Sequence, residues 1–328
     1  MTVNRVSTGA VPSISVSRQP LLPVLNFVSS PQHREPEWRE ALARLGLHAL
    51  VRFDSVAPPE DGERRLYESL ALLLEHSREA LQRLITDQEA QREARKHSAL
   101  RLIAELLIDC AACRRSVISE KAAEQQAIQQ LREAIRQREQ RCVEAMLKLY
   151  GFRTSDAAAS DLPLLDGRWG DDLFNPETLK QLGVRVGSGI AAGAAAGAGV
   201  DLMVGGLTLG AAALAGAIAG GALQTARSYG SRLLGKLKGQ RELTVDDSVL
   251  RLLALRQRQL LHALNARGHA AVDSIKVATP QDKTWREGKL PEALNKARAH
   301  PQWSSLNPHP KLNQAERQEQ IEWLTTHI

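Results

Sequence analysis

Hydrophobic residues recur at helical spacing through most of the chain. From Glu63 to Tyr150 there is neither glycine nor proline. Three apolar stripes in this stretch, with intervals of three and four residues, predict long helices, and polar runs at 86–97 and 119–127 are candidate breaks. The third stripe is close to a heptad repeat, which is typical of helices that pack along one another.

The C-terminal third shows the same periodicity in shorter pieces. A helix is predicted over 244–267, with Thr244 as its N-cap and a leucine-rich side. Prolines punctuate the remainder, and short helices are predicted over 291–299 and 313–327 around tryptophan residues. These patterns predict a mainly helical fold.

A different pattern precedes the long helices. Residues 21–28 and 48–56 are short apolar runs that predict two strands, and the helical spacing over 37–45 predicts a short helix between them. A strand, a helix and a strand form a βαβ unit. Two strands are too few for an independent sheet, so this unit is predicted to be a remnant of a larger α/β domain. Residues 1–20 show neither period and are predicted to be disordered.

Small residues dominate the stretch from Val186 to Ala226, whose single charge is Asp201. Glycines four residues apart allow two helix backbones to approach closely in a bilayer. The pattern predicts a hairpin with helices at about 184–200 and 207–227 and a turn at about 201–206. Its packing glycines are predicted to be Gly189, Gly193, Gly197, Gly206, Gly210, Gly216 and Gly220.

Basic residues follow this hairpin and strengthen the membrane interpretation. The predicted juxtamembrane residues are Arg227, Arg232, Lys236, Lys238 and Arg241. Basic flanks suit a hairpin that enters and leaves a membrane on its cytoplasmic side. A soluble Gly/Ala hairpin buried among helices is the alternative.

Composition narrows the function classes further. Aromatic residues make up only 4% of the chain, which disfavours an all-β fold, and three cysteines cannot form a disulfide framework. The net charge is +6, yet acidic and basic residues are balanced over 60–150. That balance favours helix packing, including self-association through 63–150, over nucleic-acid binding. A cytoplasmic location at the inner membrane is expected.

No motif predicts catalysis or a metal site. Gly230 to Lys236 matches the spacing of a phosphate loop, but Leu237 occupies the position of the magnesium-binding Ser or Thr. Cys110 and Cys113 form a C-x-x-C pair without further ligands nearby, so we interpret them as small buried thiols on a helix.

The run from Leu22 to Ser29 (LPVLNFVS), together with the βαβ unit, resembles the last part of an Era-like bacterial GTPase domain. The remainder is similar to an uncharacterised bacterial domain found fused behind such GTPases, most clearly in the Gly/Ala segment and residues 241–257. In these GTPases an N-K-x-D motif reads guanine. Asn26 matches its Asn, whereas Phe27 replaces the Lys and Ser29 replaces the Asp, so Asn26 and Ser29 would form only a degenerate nucleotide site.

The resemblance also defines what the sequence lacks. No phosphate loop, switch threonine or D-x-x-G segment precedes Leu21, and these elements hold the phosphates and magnesium in GTPases. The resemblance therefore implies no cofactor on this chain, with GTP and Mg²⁺ bound only if a separately encoded GTPase half supplies the phosphate loop.

These inferences combine into a predicted organisation of six segments: a disordered 1–20, a GTPase remnant 21–58, a long helical region 59–150, a linker 151–182, a Gly/Ala-rich hairpin 183–228 and a C-terminal helical region 229–328. The predicted function is a non-catalytic, membrane-associated effector region of an Era-like GTPase system. A GTPase fragment completed by another chain and a soluble helical scaffold are the alternatives.

Overall fold

The structure is a computed structural model of the whole chain. It describes residues 20–26, 28, 34–55, 59, 61–118, 120–152, 164–165, 168–169, 173–175, 200–203, 240–266, 285–286 and 288–328. The mainly helical fold predicted from the sequence is confirmed. The chain divides into two compact units, residues 1–95 with 262–274 and residues 96–261 with 275–328.

A small parallel sheet opens the first unit. Strand β1 (Val24–Leu25) is followed by helix α1 (Glu35–Arg44) and strand β2 (Val51–Arg52). The strands are parallel, with Val24 opposite Val51, so the predicted βαβ unit is confirmed. Helix α2 (Gly62–Leu73) comes next, and a 3₁₀ turn over Glu75–Ser77 leads into the longest helix.

Helix α3 spans Arg78–Ala112 without interruption. The predicted break at 86–97 is therefore wrong. Its residues are polar but remain good helix formers, and a helix ends at glycine, proline or a lost packing partner rather than at polarity alone. From Ile103 to Ala112 the helix is buried on nearly every side, with Glu105 the one residue that is half-buried.

Strand β3 (Arg114–Ile118) separates α3 from helix α4 (Lys121–Leu149). The break predicted at 119–127 lies earlier, between Ala112 and Lys121, because residues 121–127 belong to α4, and β3 has no counterpart among the predictions. Arg138 of α4 bonds to Asp109, and Cys142 Sγ lies 3.6 Å from the carbonyl oxygen of Leu102. Because the later α4 residue meets the earlier α3 residue, the two helices are antiparallel.

β3 is one edge of a three-stranded antiparallel sheet. Strand β7 (Gln240–Val245) lies in the middle, and strand β6 (Val200–Met203) is the other edge. In the ladder Val200 is opposite Val245 and Met203 is opposite Glu242. The sequence predicted that a helix ends at about residue 200 and that a turn begins at Asp201. That prediction is wrong for residues 200–203, because they pair with β7, about forty residues later, and are therefore extended.

Helix α5 (Asp247–Ala266) follows β7 directly. It begins three residues later than predicted because Thr244 belongs to β7. The N-cap is Asp246, whose Oδ1 accepts the Ser248 N–H at 2.7 Å. Its leucines are buried, as the apolar pattern predicted.

Two short helices end the chain, α6 (Glu292–Ala299) and α7 (Ala315–His327). Both fall where they were predicted. A 3₁₀ turn over Pro301–Trp303 lies between them, and Trp303 is only 2% exposed.

Parts of the predicted 151–182 linker pack against the helices of the second unit. Strands β4 (Leu164–Leu165) and β5 (Arg168–Trp169) form a tight hairpin, and Leu173 and Phe174 are buried. The Phe174 ring lies about 5 Å from the guanidinium carbons of Arg132 and Arg136 on α4.

Candidate functional site

The carboxyl ends of β1 and β2 are joined by one side chain from each loop. Ser55 N–H donates to Asn26 Oδ1 at 3.0 Å, and Asn26 Nδ2–H donates to Ser55 Oγ at 3.1 Å. Asp54, next to Ser55, is 1% exposed. In open α/β sheets this edge is where ligands bind, so the residue matched to the guanine-reading Asn lies at the expected edge.

The geometry gives Asn26 a structural function. Its amide oxygen and one amide hydrogen are both used to hold the loop after β2 against β1. A nucleotide-binding function for Asn26 stays a prediction, and its proposed companion Ser29 lies outside the described residues.

Most of the predicted membrane segment also lies outside the described residues. This applies to Gly189, Gly193, Gly197, Gly206, Gly210, Gly216 and Gly220 and to Arg227, Arg232, Lys236 and Lys238. Arg241 is described at the backbone only, as a β7 residue opposite Val117 of β3. Among the helices that the structure describes, none combines the length and apolarity needed to cross a membrane.

The most developed polar site of the second unit is buried and surrounds Asp109. This α3 carboxylate, whose side chain is 3% exposed, accepts from Arg138 Nε at 2.6 Å and lies 3.3 Å from Arg317 Nη2. Ser305 donates to it twice, from its N–H at 3.0 Å and its hydroxyl at 2.9 Å. Burial lowers the pKa of Arg138, but attraction and hydrogen bonding to Asp109 raise it above its ordinary value overall.

This cluster connects three parts of the second unit. Arg138 belongs to α4 and Arg317 to α7. The Nε of Arg317 also donates to the Trp303 carbonyl at 2.8 Å. Ser304 Oγ donates to the Asp109 carbonyl at 2.7 Å. Each lone pair of the buried carboxylate is therefore used in positioning the chain around Trp303, which is a structural rather than a catalytic arrangement.

A second buried cluster lies between α4 and α5. Glu139 Oε1 accepts from Gln257 Nε2 at 3.3 Å, and its Oε2 lies 3.7 Å from Arg256 Nη1. Arg256 also lies over the Trp169 ring at 5.3 Å. The β4–β5 hairpin is thereby held against α5 by a cation–π contact.

The three cysteines are free and buried, which confirms the C-x-x-C pair as buried thiols; only Cys110 lies on a helix, because α3 ends at Ala112. Burial raises the pKa of Cys113 to about 11 and that of Cys142 to about 12, and it raises the pKa of Cys110 too. Such thiols stay protonated at neutral pH and are weak nucleophiles. No group of three metal-ligating side chains occurs in the described part of the chain.

The sequence reasoning missed the Asp109 cluster, although one signal was available. Asp109 is the only charged residue between Glu105 and Arg114, inside an apolar run. A carboxylate on the buried side of a helix requires a partner. Its arginine partners lie 29 and 208 residues away along the chain. The sequence alone could therefore indicate that Asp109 needs a partner but not which residues supply it.

Comparison with known proteins yields one match. A family model described as "Domain of unknown function (DUF3482)" matches residues 39–326. Neither the curated proteins nor the solved structures contain a match to the chain.

Proposed function

The chain belongs to the DUF3482 family of domains of unknown function, and from that premise we propose that it is the membrane-associated, non-catalytic effector region of an Era-like GTPase system. The observation that carries the proposal is the pairing of β6 with β7. These neighbouring strands are the two ends of residues 204–239, the part of the chain with the strongest membrane signature.

The charge distribution of that segment supports the proposal. Residues 204–226 carry no charge, and 227–239 then contain four basic and no acidic residues. Paired strands lie about 5 Å apart, so the segment leaves and re-enters the fold at one place. An apolar stretch followed by a basic one, tethered in this way, suits association with one face of an anionic bilayer.

The lengths and charges of residues 204–226 and 227–239 disfavour a hairpin in which both parts cross the membrane. One crossing requires roughly 20 apolar residues, and 204–226 suffice for one passage. The return through the basic residues 227–239 does not suit hydrocarbon. We therefore propose insertion from the cytoplasmic face of the inner membrane with both ends of the segment on that side.

The βαβ unit supports the link to a GTPase. Its strands are parallel, and Asn26 and Ser55 meet at the edge where an α/β domain binds its ligand. The chain's own sequence lacks a phosphate loop, which is why we propose an effector rather than an enzyme. In this proposal the nucleotide state of a GTPase changes how the long helices stand relative to the membrane.

Vesicle sedimentation of the purified full-length chain tests the proposal. We expect the chain to sediment with phosphatidylcholine vesicles that contain phosphatidylserine and to remain with them when the salt concentration is then raised, because residues 204–226 are inserted. Each basic residue near an anionic surface contributes about 1 kcal/mol. Changing Arg227, Arg232, Lys236 and Lys238 to Gln should therefore weaken binding by roughly a thousandfold.

The matched control removes four exposed positive charges elsewhere. Arg34, Arg44, Arg65 and Arg83 have side chains at least 63% exposed and lie in the first unit. Their change to Gln should leave vesicle binding unaltered. If the unmodified chain stays in the supernatant with these vesicles, the soluble scaffold replaces this proposal. If the control loses as much binding, non-specific charge replaces the basic segment as the explanation.

A further inference from the structure

The three strands of the antiparallel sheet share the end at which residues 204–239 leave and rejoin the fold. β6 ends at Met203 and β7 begins at Gln240, so the segment departs from one strand and returns on its neighbour. β3 ends at the same place, because its last residue, Ile118, is paired with Gln240. Since paired residues lie about 5 Å apart, Ile118 is next to the point where the segment re-enters the sheet.

Ile118 is the most exposed large apolar residue in the described part of the second unit. It is 66% exposed, whereas Val117, which faces the opposite side of the sheet, is 7% exposed. The other exposed large apolar side chain described there is Trp323, whose ring is stacked on His327 at 4.0 Å. Single exposed apolar residues are common on protein surfaces. The position of Ile118 beside residues 204–239, rather than its exposure alone, therefore points to a function.

The sequence of that segment limits what Ile118 can meet. Residues 227–239 contain four basic and no acidic residues, and the last basic one, Lys238, precedes Gln240 by two residues. Two residues of chain reach at most about 7 Å. An anionic bilayer that Lys238 contacts is therefore brought close to Ile118 as well.

The described residues that follow Ile118 would add little attraction of their own. Glu120 and Lys121 are both exposed and have opposite charges, and Glu124 is half-buried in the first turn of α4. Attraction to the bilayer thus comes from residues 227–239, while the end of the sheet offers an apolar contact. Basic residues beside an apolar side chain are the combination that interfacial membrane contacts use.

We propose that Ile118 contacts an anionic lipid bilayer and inserts between headgroups and acyl chains beside residues 204–239. The inference rests on the proposed function and adds a residue of the folded sheet to the membrane-contacting surface. Interfacial apolar side chains enter this boundary by about 5–10 Å, and Ile118 lies at the end of its strand. The contact holds the end of the sheet directly against the bilayer, so the fold does not hang from residues 204–239 alone.

A fluorescent label at residue 118 of the full-length chain tests the contact. The three natural cysteines are buried, so Ile118→Cys supplies an exposed thiol that reacts selectively with an NBD maleimide. When phosphatidylcholine vesicles that contain phosphatidylserine are added, we expect the emission to increase severalfold and to shift to shorter wavelength. The matched control is Leu72→Cys with the same label. Leu72 is 74% exposed on α2 of the first unit, and its label should not respond.

Vesicle sedimentation measures how much the contact contributes to binding. Ile118→Ser removes most of the apolar surface of this side chain and should weaken vesicle binding about tenfold. Ile118→Leu keeps that surface and should bind like the unmodified chain, as should Leu72→Ser. The far-UV circular dichroism spectra of these variants should match that of the unmodified chain, because both positions are exposed.

The outcomes separate this inference from the proposed function. If the chain sediments with vesicles but the label at residue 118 does not respond, or Ile118→Ser binds equally, the contact is overturned and the membrane proposal stands. If the unmodified chain does not sediment with the vesicles, the membrane proposal fails and the contact fails with it. A label at residue 118 that responds to protein concentration without vesicles assigns Ile118 to an interface between copies of the chain and also overturns the inference.

Discussion

Neutralising the buried carboxylate of Asp109 should destabilise the second unit more than any surface change. Asp109→Asn keeps the shape of the side chain and removes the charge that faces Arg138 and Arg317, whose side chains are 13% and 6% exposed. Breaking a buried ion pair from one side costs about 3–5 kcal/mol, because the remaining charge stays desolvated. The amide oxygen can still accept from the Ser305 N–H and from Arg317, which both contact Oδ1, whereas the amide NH₂ cannot accept from Arg138. We therefore expect a loss of about 3 kcal/mol.

Urea titration followed by far-UV circular dichroism and tryptophan fluorescence measures this loss. A typical domain has a free energy of unfolding of about 5–15 kcal/mol, so a change of this size shifts the midpoint clearly. The control is Glu79→Gln, at an exposed i,i+4 pair with Arg83 on the same helix. It should leave the midpoint unchanged, because exposed pairs contribute little.

A double variant separates charge from packing. Adding Arg138→Met to Asp109→Asn removes one of the two unpaired guanidinium groups, so the pair should be at least about 1 kcal/mol less destabilising than the sum of the single changes. A loss below 1 kcal/mol for Asp109→Asn, or strict additivity in the double variant, would refute the reasoning that Asp109 neutralises both arginines.

Three further outcomes follow from the described contacts. The free energy of unfolding should fall between about pH 9 and 11, because the thiols of the unfolded chain ionise there. In the folded chain Cys113 and Cys142, with pKa values of about 11 and 12, stay neutral over this range. A free energy of unfolding, measured by urea titration, that does not change with pH would contradict this. Phe174→Ala should cost about 3 kcal/mol in the same titration, whereas Phe174→Leu should cost about 1. Asp246→Ala should cost about 1 kcal/mol through loss of the α5 cap, with Asp246→Asn as the neutral control.

The helices could be predicted because their signals are local. The heptad-like stripe of α4 appears as buried Ile128, Leu131 and Ile135, and the leucine-rich side of α5 is buried too. Each of these patterns repeats within one turn or two, so neighbouring residues suffice to specify it. The parallel βαβ unit was found for the same reason.

The three-stranded sheet could not be predicted, because its strands exist only through distant pairing. Arg114 is opposite Thr244, 130 residues later, and β6 has just four residues. β3 follows a helix without an intervening glycine or proline, so nothing in its vicinity marks a change of structure. The Asp109 cluster could not be predicted for the same reason, because the residues that bond to Asp109 come from two other helices and a loop that are distant in sequence.

The arrangement of β6 and β7 determines how the fold would respond to mechanical load. A force transmitted through residues 204–239 acts on β6 at Met203, which is paired with Glu242, and on β7 at Gln240, which is paired with Ile118 of β3. Both ladders are then loaded from one end, where their pairs open one after another. β6 has four pairs with β7, and β7 has five with β3, so we expect β6 to separate first.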